Sequence, residues 1–241
     1  MQITRHAEAR AVLSDSRSAP PPVRQDAAEG TLAWLRAQVS RFSTGQVHAE
    51  RRAELERLLS DLDPSSLRAA ARARVRGGVW AGVPTAVLCE ALGLDDLTPQ
   101  VAEAAKGYLS GEESPDGDAA VALLLKAATI PQITLLLQGH AATEGLIANA
   151  LKHEGPVEGV LHETLRHDPP LLVTRRVVEG SPVEVDLVAV NRDPSVFSDP
   201  LAFDAGRGPS PHLTFGYGVR PCPASAHAFA IAAGVLEGLS A

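Results

Sequence analysis

The hydrophobic positions recur mostly every three or four residues, the period of helices that bury one face. Residues 5–14 set Ala7, Ala11, Val12 and Leu13 among charged neighbours and predict a short amphipathic helix. Pro20-Pro21-Pro22 then imposes an extended linker, because each ring fixes φ and disfavours the α region in the residue before it. Leu32, Leu35, Val39 and Phe42 keep helical spacing until Ser43-Thr44-Gly45. His48 to Leu62 predicts a strong helix with Leu55, Leu58, Leu59 and Leu62 on one stripe, ended by Asp63-Pro64. Another helix follows from Ser65, and the almost wholly apolar run 79–94 predicts a buried one. Residues 110–118, SGEESPDGD, read as the clearest loop. A long helical stretch runs from Ala119 to about Lys152, with Pro131 allowing a break, and residues 157–167 give one more helix before Asp168-Pro169-Pro170. Only then does the pattern turn β-like, in runs Leu171 to Val178 and Val183 to Val190 separated by Gly180-Ser181-Pro182. A proline- and glycine-rich coil spans Asn191 to Pro221, and a small-residue helix starts near Ala224. The expectation is one mainly α domain over residues 1–241 with a small β element near the C-terminal third.

Charge narrows the function. Acidic residues outnumber basic ones, 29 against 22, which disfavours a general nucleic-acid binder dependent on phosphate neutralisation. All the basic residues except Lys106, Lys126 and Lys152 are arginine, so sites for carboxylates and other anions remain open. Arg68, Arg72 and Arg76 stand one turn apart; a solvated helix face is the preferred reading over an anion or partner-protein patch. Cys89 and Cys222 cannot make a disulfide framework, and Cys89 reads as an inert core residue. The start of the chain lacks a signal-peptide pattern, and the most apolar stretch, Ala119 to Leu137, is broken by Lys126 and Pro131. A cytoplasmic protein with no membrane or nucleic-acid partner is expected.

The chemistry concentrates in residues 212–227, HLTFGYGVRPCPASAH. A cysteine stands just before a helix start, whose free N–H groups and positive dipole end favour a thiolate. Gly216 and Gly218 let backbone approach a flat group, Phe215 can shield the sulfur, and Arg220 can pair with an acidic group on whatever the sulfur ligates. A thiolate ligand to heme iron needs this set. Phe215 through Ala224 resembles the heme-binding signature of the cytochrome P-450 superfamily, FGxGxRxCxG, with Ala224 at the last glycine. Glu163 and Arg166 resemble the ExxR pair of that family, and Asn191 to Asp204 its meander. His48 and Arg52 match HxxxR on the C helix, where four-residue spacing aims both groups at one heme propionate. Arg176 matches the arginine that reaches the other propionate, with Arg175 as its substitute if the register slips. The resemblance implies a reduced cytochrome P-450 fold holding one heme b (iron protoporphyrin IX), with Cys222 as axial ligand and a small-molecule substrate.

Leu135 to Thr143 resembles the distal I helix, in which Gly139, His140 and Thr143 fit. Ala141 and Ala142 replace the acid and first threonine that normally deliver protons, and two alanines relay none. The catalytic set is therefore read as Cys222, His140 and Thr143, with Gly139, Ala141 and Ala142 beside the substrate. Ala202 replaces the arginine that usually completes the ExxR triad. The segment between Leu94 and Ala119 reads as too short for the family's F and G helices, and the N-terminal strands and C-terminal hairpin as shortened or missing. The leading expectation is a heme-thiolate oxidoreductase acting in bacterial specialised metabolism, fed by a ferredoxin-type donor or by peroxide. A homodimer or partner protein would complete its trimmed fold. The alternatives are a heme-dependent isomerase, lyase or dehydratase, and a non-catalytic scaffold or heme sensor.

Overall fold

A computed structural model describes residues 1–240. The chain divides into two compact units, Met1–Pro21 with Gly145–Ser225, and Pro22–Glu144 with the chain from Ala226.

The first unit contains β1 (Gln2–Ile3), α1 (His6–Ser14), the end of α8 (Ile130–Ala150), α9 (Val157–His167), β2 (Val173–Val178), β3 (Ser181–Asp186) and α10 (Leu187–Val190). β3 lies centrally, parallel to β1 and antiparallel to β2. Val178 pairs with Ser181, so the hairpin turns on two residues, and both Glu179 and Gly180 have positive φ (49° and 79°). That is the turn whose twist matches paired strands, which explains why Ser181 and Pro182 join the strand instead of separating the runs. Val183 and Val185 face a core with Ile3, Ala9, Leu13, Leu187, Val190 and Leu213.

The second β run ends earlier than its composition predicts. The Asp186 carboxylate accepts the Ala189 N–H at 2.9 Å and caps a helical turn, α10. Leu187 and Val190 are buried three residues apart, a helical rather than a strand period. The coil that follows is pinned from within. Asn191 accepts the Leu213 N–H and donates to Thr214, while buried Asp193 accepts N–H groups from His6 and Ser195.

The second unit is helical: α2 (Leu32–Gln38), α3 (Gly45–Ser60), α4 (Pro64–Arg74), α5 (Val83–Ala91), α6 (Thr98–Tyr108), α7 (Pro115–Ala127), most of α8, and α11 (Ser225–Leu239) from Ala226. A 3-10 turn at Ser40–Phe42 separates α2 from α3. The loop read at 110–118 is shorter than predicted, because α7 starts inside it. Ser114 accepts the Gly117 N–H, Pro115 fills the first turn and Asp116 and Asp118 favour the positive helix end. α6 and the start of α7 occupy the segment between Leu94 and Ala119. The long helical stretch breaks at Ala128-Thr129, and Pro131 falls in the first turn of α8, where no N–H is required of it. Gly234 lets α4 and α11 touch backbone to backbone: a Cβ there would lie 2.1 Å from the Arg68 carbonyl oxygen.

Candidate functional site

The Cys222 loop is built by the end of α1 and two left-handed glycines. Gly216 and Gly218 adopt φ of 75° and 67°. A Cβ on Gly218 would fall 2.5 Å from Ser14 Cα and 2.6 Å from the Leu13 carbonyl oxygen, so this position accepts no side chain without displacing α1. The Val219 N–H donates to the same carbonyl at 3.3 Å, and the Cys222 N–H closes the loop on the Phe215 carbonyl at 2.7 Å. Arg10 stacks over Tyr217 at 4.4 Å and donates to its hydroxyl. Cys222 is half-buried three residues ahead of α11, as the motif predicts. His212 precedes Phe215, their rings 5.8 Å apart; burial first, and the neighbouring His162 second, push its pKa down to about 4. It is neutral at physiological pH.

Behind this loop lies a closed ionic cluster. Glu163 and Arg166 on α9 are 1% and 0% exposed. Arg166 donates to both carboxylate oxygens of Glu163, at 2.9 and 2.5 Å, and to the carbonyls of Asn191, Pro200 and Ala202. The Asp204 N–H and Arg207 Nε also reach Glu163, at 3.0 and 3.1 Å. Burial alone would push the Glu163 carboxyl up; the bonds from Arg166, Asp204 and Arg207 outweigh it and hold the pKa below its ordinary value. Arg207 therefore brings a second guanidinium to this carboxylate, whereas Ala202 contributes only its carbonyl. Sequence reading stopped at Ala202. The missed signal was the turn Asp204-Ala205-Gly206-Arg207, closed by the Arg207 N–H to the Asp204 carbonyl, which carries a basic residue back toward α9.

The hairpin register separates the two strand arginines. Arg175 pairs opposite Glu184 with a 3.0 Å ion pair on the exposed side. Arg176 pairs opposite buried Val183, and its guanidinium donates to Thr174 Oγ1 and the Arg175 carbonyl.

In the second unit His48 and Arg52 stand one turn apart on α3, both half-buried. Arg52 Nε donates to Glu56 at 2.7 Å. On α8, Gly139, His140 and Thr143 share the side that faces α5. A Cβ on Gly139 would meet Leu88 at 3.1 Å, His140 Nδ1 lies 2.8 Å from Thr85 Oγ1, and Thr143 is 3% exposed. Glu144 approaches His140 Nδ1 at 3.7 Å and accepts the Gly82 N–H at 2.7 Å. Ala141 lies on the opposite, exposed side, and Ala142 is half-buried.

Among the described residues no cluster of three His, Cys, Asp or Glu could hold a metal ion. A lone thiol in a glycine-shaped loop is a single donor that would suit an iron whose other ligands a porphyrin supplies.

No protein-family profile matches the chain. Among curated proteins it is 34% identical over 113 residues to Cytochrome P-450 119 of Sulfurisphaera tokodaii, covering 37% of this chain and 31% of that one. It is 49% identical over 47 residues to a biflaviolin synthase of Streptomyces coelicolor, covering 20% of this chain and 12% of that one. These matched segments thus span under a third of their relatives' own lengths. Solved structures match across almost the whole chain. A myxobacterial cytochrome P-450 in complex with myristic acid gives a TM-score of 0.77 at 22% identity, over 98% of this chain and 80% of its own. A P-450 bound to an acyl carrier protein ligated with hexadec-9Z-enoic acid gives 0.76 at 22%, over 98% and 83%. This chain shares their fold. Its mainly α fold with a small mixed sheet is the P-450 fold. No described helix is long and apolar enough to cross a membrane.

Proposed function

We propose that this protein is a member of the cytochrome P-450 superfamily, a heme-thiolate enzyme that oxidises a small organic molecule, with Cys222 as the axial ligand of a heme b. The observation that carries the reading is the Cys222 loop, held against α1 by Gly218, which cannot bear a Cβ, and closed by the Cys222 N–H on Phe215. Phe215, Gly216, Gly218 and Arg220 flank the thiolate, and His48, Arg52 and Arg176 are assigned to the propionates. Thiolate-ligated heme supplies electron density that favours O–O cleavage.

The chain's own residues limit how protons arrive. Ala141 and Ala142 hold none. His140 has Nδ1 engaged by Thr85, which leaves Nε2 as its only free ring nitrogen for proton transfer, and Thr143 is buried on the α5 side. Hydrogen peroxide, which brings its own protons, suits this helix better than dioxygen with a ferredoxin-type donor. The same alanines favour a second reading, a heme isomerase, lyase or dehydratase that needs no proton relay. The setting proposed is cytoplasmic, in bacterial specialised metabolism.

The test is the absorption spectrum of hemin-reconstituted protein, oxidised and then reduced under carbon monoxide. A strongly red-shifted reduced-CO band, lost in Cys222→Ala, supports the thiolate assignment; an unchanged band in the variant refutes it. Turnover with hydrogen peroxide, with a ferredoxin system, or with neither oxidant nor reductant then separates the reactions.

A further inference from the structure

α4 and α11 leave between them a cleft of about 550 Å³ whose rim is arginine. Arg68 and Arg72 lie one helical turn apart on α4, and Arg76 continues the row just past the helix end. Ala69 and Ala73 keep the floor shallow, and Gly238 brings α11 close. Among the described residues Glu237 is the one acidic residue lining the cleft, and Arg68 already binds it through Nε and Nη2 at 3.1 and 2.5 Å. Arg72 and Arg76 are exposed and make no ion pair with a carboxylate among the described residues, whereas their neighbour Arg74 is paired with Glu90. In a chain with a formal charge of −7 this is a local excess of positive charge held by rigid helices.

We propose that this cleft is a docking surface for an acidic helical segment of a partner protein, with carboxylates one turn apart meeting Arg72 and Arg76. Two features favour such a segment. The spacing of α4 side chains matches carboxylates at four-residue intervals on another helix, and guanidinium forks take carboxylates in a defined, two-pronged geometry. The small floor residues admit a helix to within side-chain contact. The surface depends on α4 and α11 alone, so it stands or falls separately from the heme reading.

The experiment measures fluorescence anisotropy of the whole chain with two labelled alanine-based helical peptides of equal net charge. One carries glutamates four residues apart on a single face; the other spreads them around the helix. The face-patterned peptide is expected to bind about tenfold more tightly, with affinity falling as salt screens the pairs. Arg72→Glu combined with Arg76→Glu should remove that advantage, while Arg57→Glu, on the exposed side of α3, should leave it within about twofold. Equal binding of the two peptides, or no binding of either, overturns the proposal. So does an Arg57→Glu loss as large as that of the double variant, which would indicate unspecific attraction. Displacement by inorganic pyrophosphate at lower concentration than by the patterned peptide would reassign the cleft to a small anion. Circular dichroism of each variant establishes that the fold is intact.

Discussion

Arg207→Ala tests whether the second guanidinium on Glu163 matters to the fold. The side chain is 15% exposed and donates through Nε to a carboxylate that water does not reach. It also donates to the carbonyls of Ser198 at 2.8 Å and Asp199 at 3.3 Å. A hydrogen bond to a charged group contributes about 1.5–3 kcal/mol, and the carbonyl bonds add less because both ends remain near solvent. Glu163 still keeps Arg166 and the Asp204 N–H, so the variant does not leave a buried charge alone, which would cost about 3–5 kcal/mol. The expected loss is therefore about 2–3 kcal/mol, well below that of Arg166→Ala. With a urea slope of about 3 kcal/mol per molar for a chain of this size, the unfolding midpoint should fall by about 0.7–1 M. Arg207→Lys keeps charge without the fork and should recover about half of it. A midpoint for Arg207→Ala within error of the parent, or as low as that of Arg166→Ala, would refute the idea that Arg207 shares this carboxylate.

Three further outcomes are expected. The His212 pKa is lowered by burial, so the neutral ring stabilises the fold fully above about pH 6.5, and the contribution disappears as pH falls toward 4. About 3 kcal/mol of acid destabilisation in that window should vanish in His212→Gln, read by urea titration at each pH. Gly218→Ala, strained by φ and by the α1 backbone, should lose heme on gel filtration after reconstitution, whereas Val219→Ala should retain it. Thr85→Val removes the partner of His140 Nδ1 and should cost about 1 kcal/mol. An unchanged peroxide rate in that variant would make His140 a packing residue.

What the sequence disclosed followed from range. Helical stripes and the two β runs are local patterns, and the structure shows both, with the turn between the runs at Glu179-Gly180 rather than at Gly180-Ser181-Pro182. α10 escaped because Val183 to Val190 is apolar enough for a strand, and only the capping carboxylate of Asp186 ends it. α6 was weakly signalled because small residues, Ala104 and Gly107, make up half of its buried face. Arg207 could not be found by motif position. Its contact with Glu163 spans 44 residues of sequence and depends on a turn that the family pattern does not specify. His140 was identifiable as a residue type but not as a bond to α5.

The way Arg166 spends its five N–H groups has a consequence for how the coil from Asn191 to Arg207 moves. Asn191, Pro200 and Ala202 are fastened to Arg166 through carbonyl oxygens, not through amides. Those attachments restrain the peptide chain independently of its own N–H bonds, since Asn191 and Ala202 donate to the carbonyls of Leu187 and Asp199, and Pro200 has no N–H. Cutting Arg166 back should therefore free this coil at three separated points at once and open it to proteases, while the local N–H bonds of Asn191 and Ala202 persist.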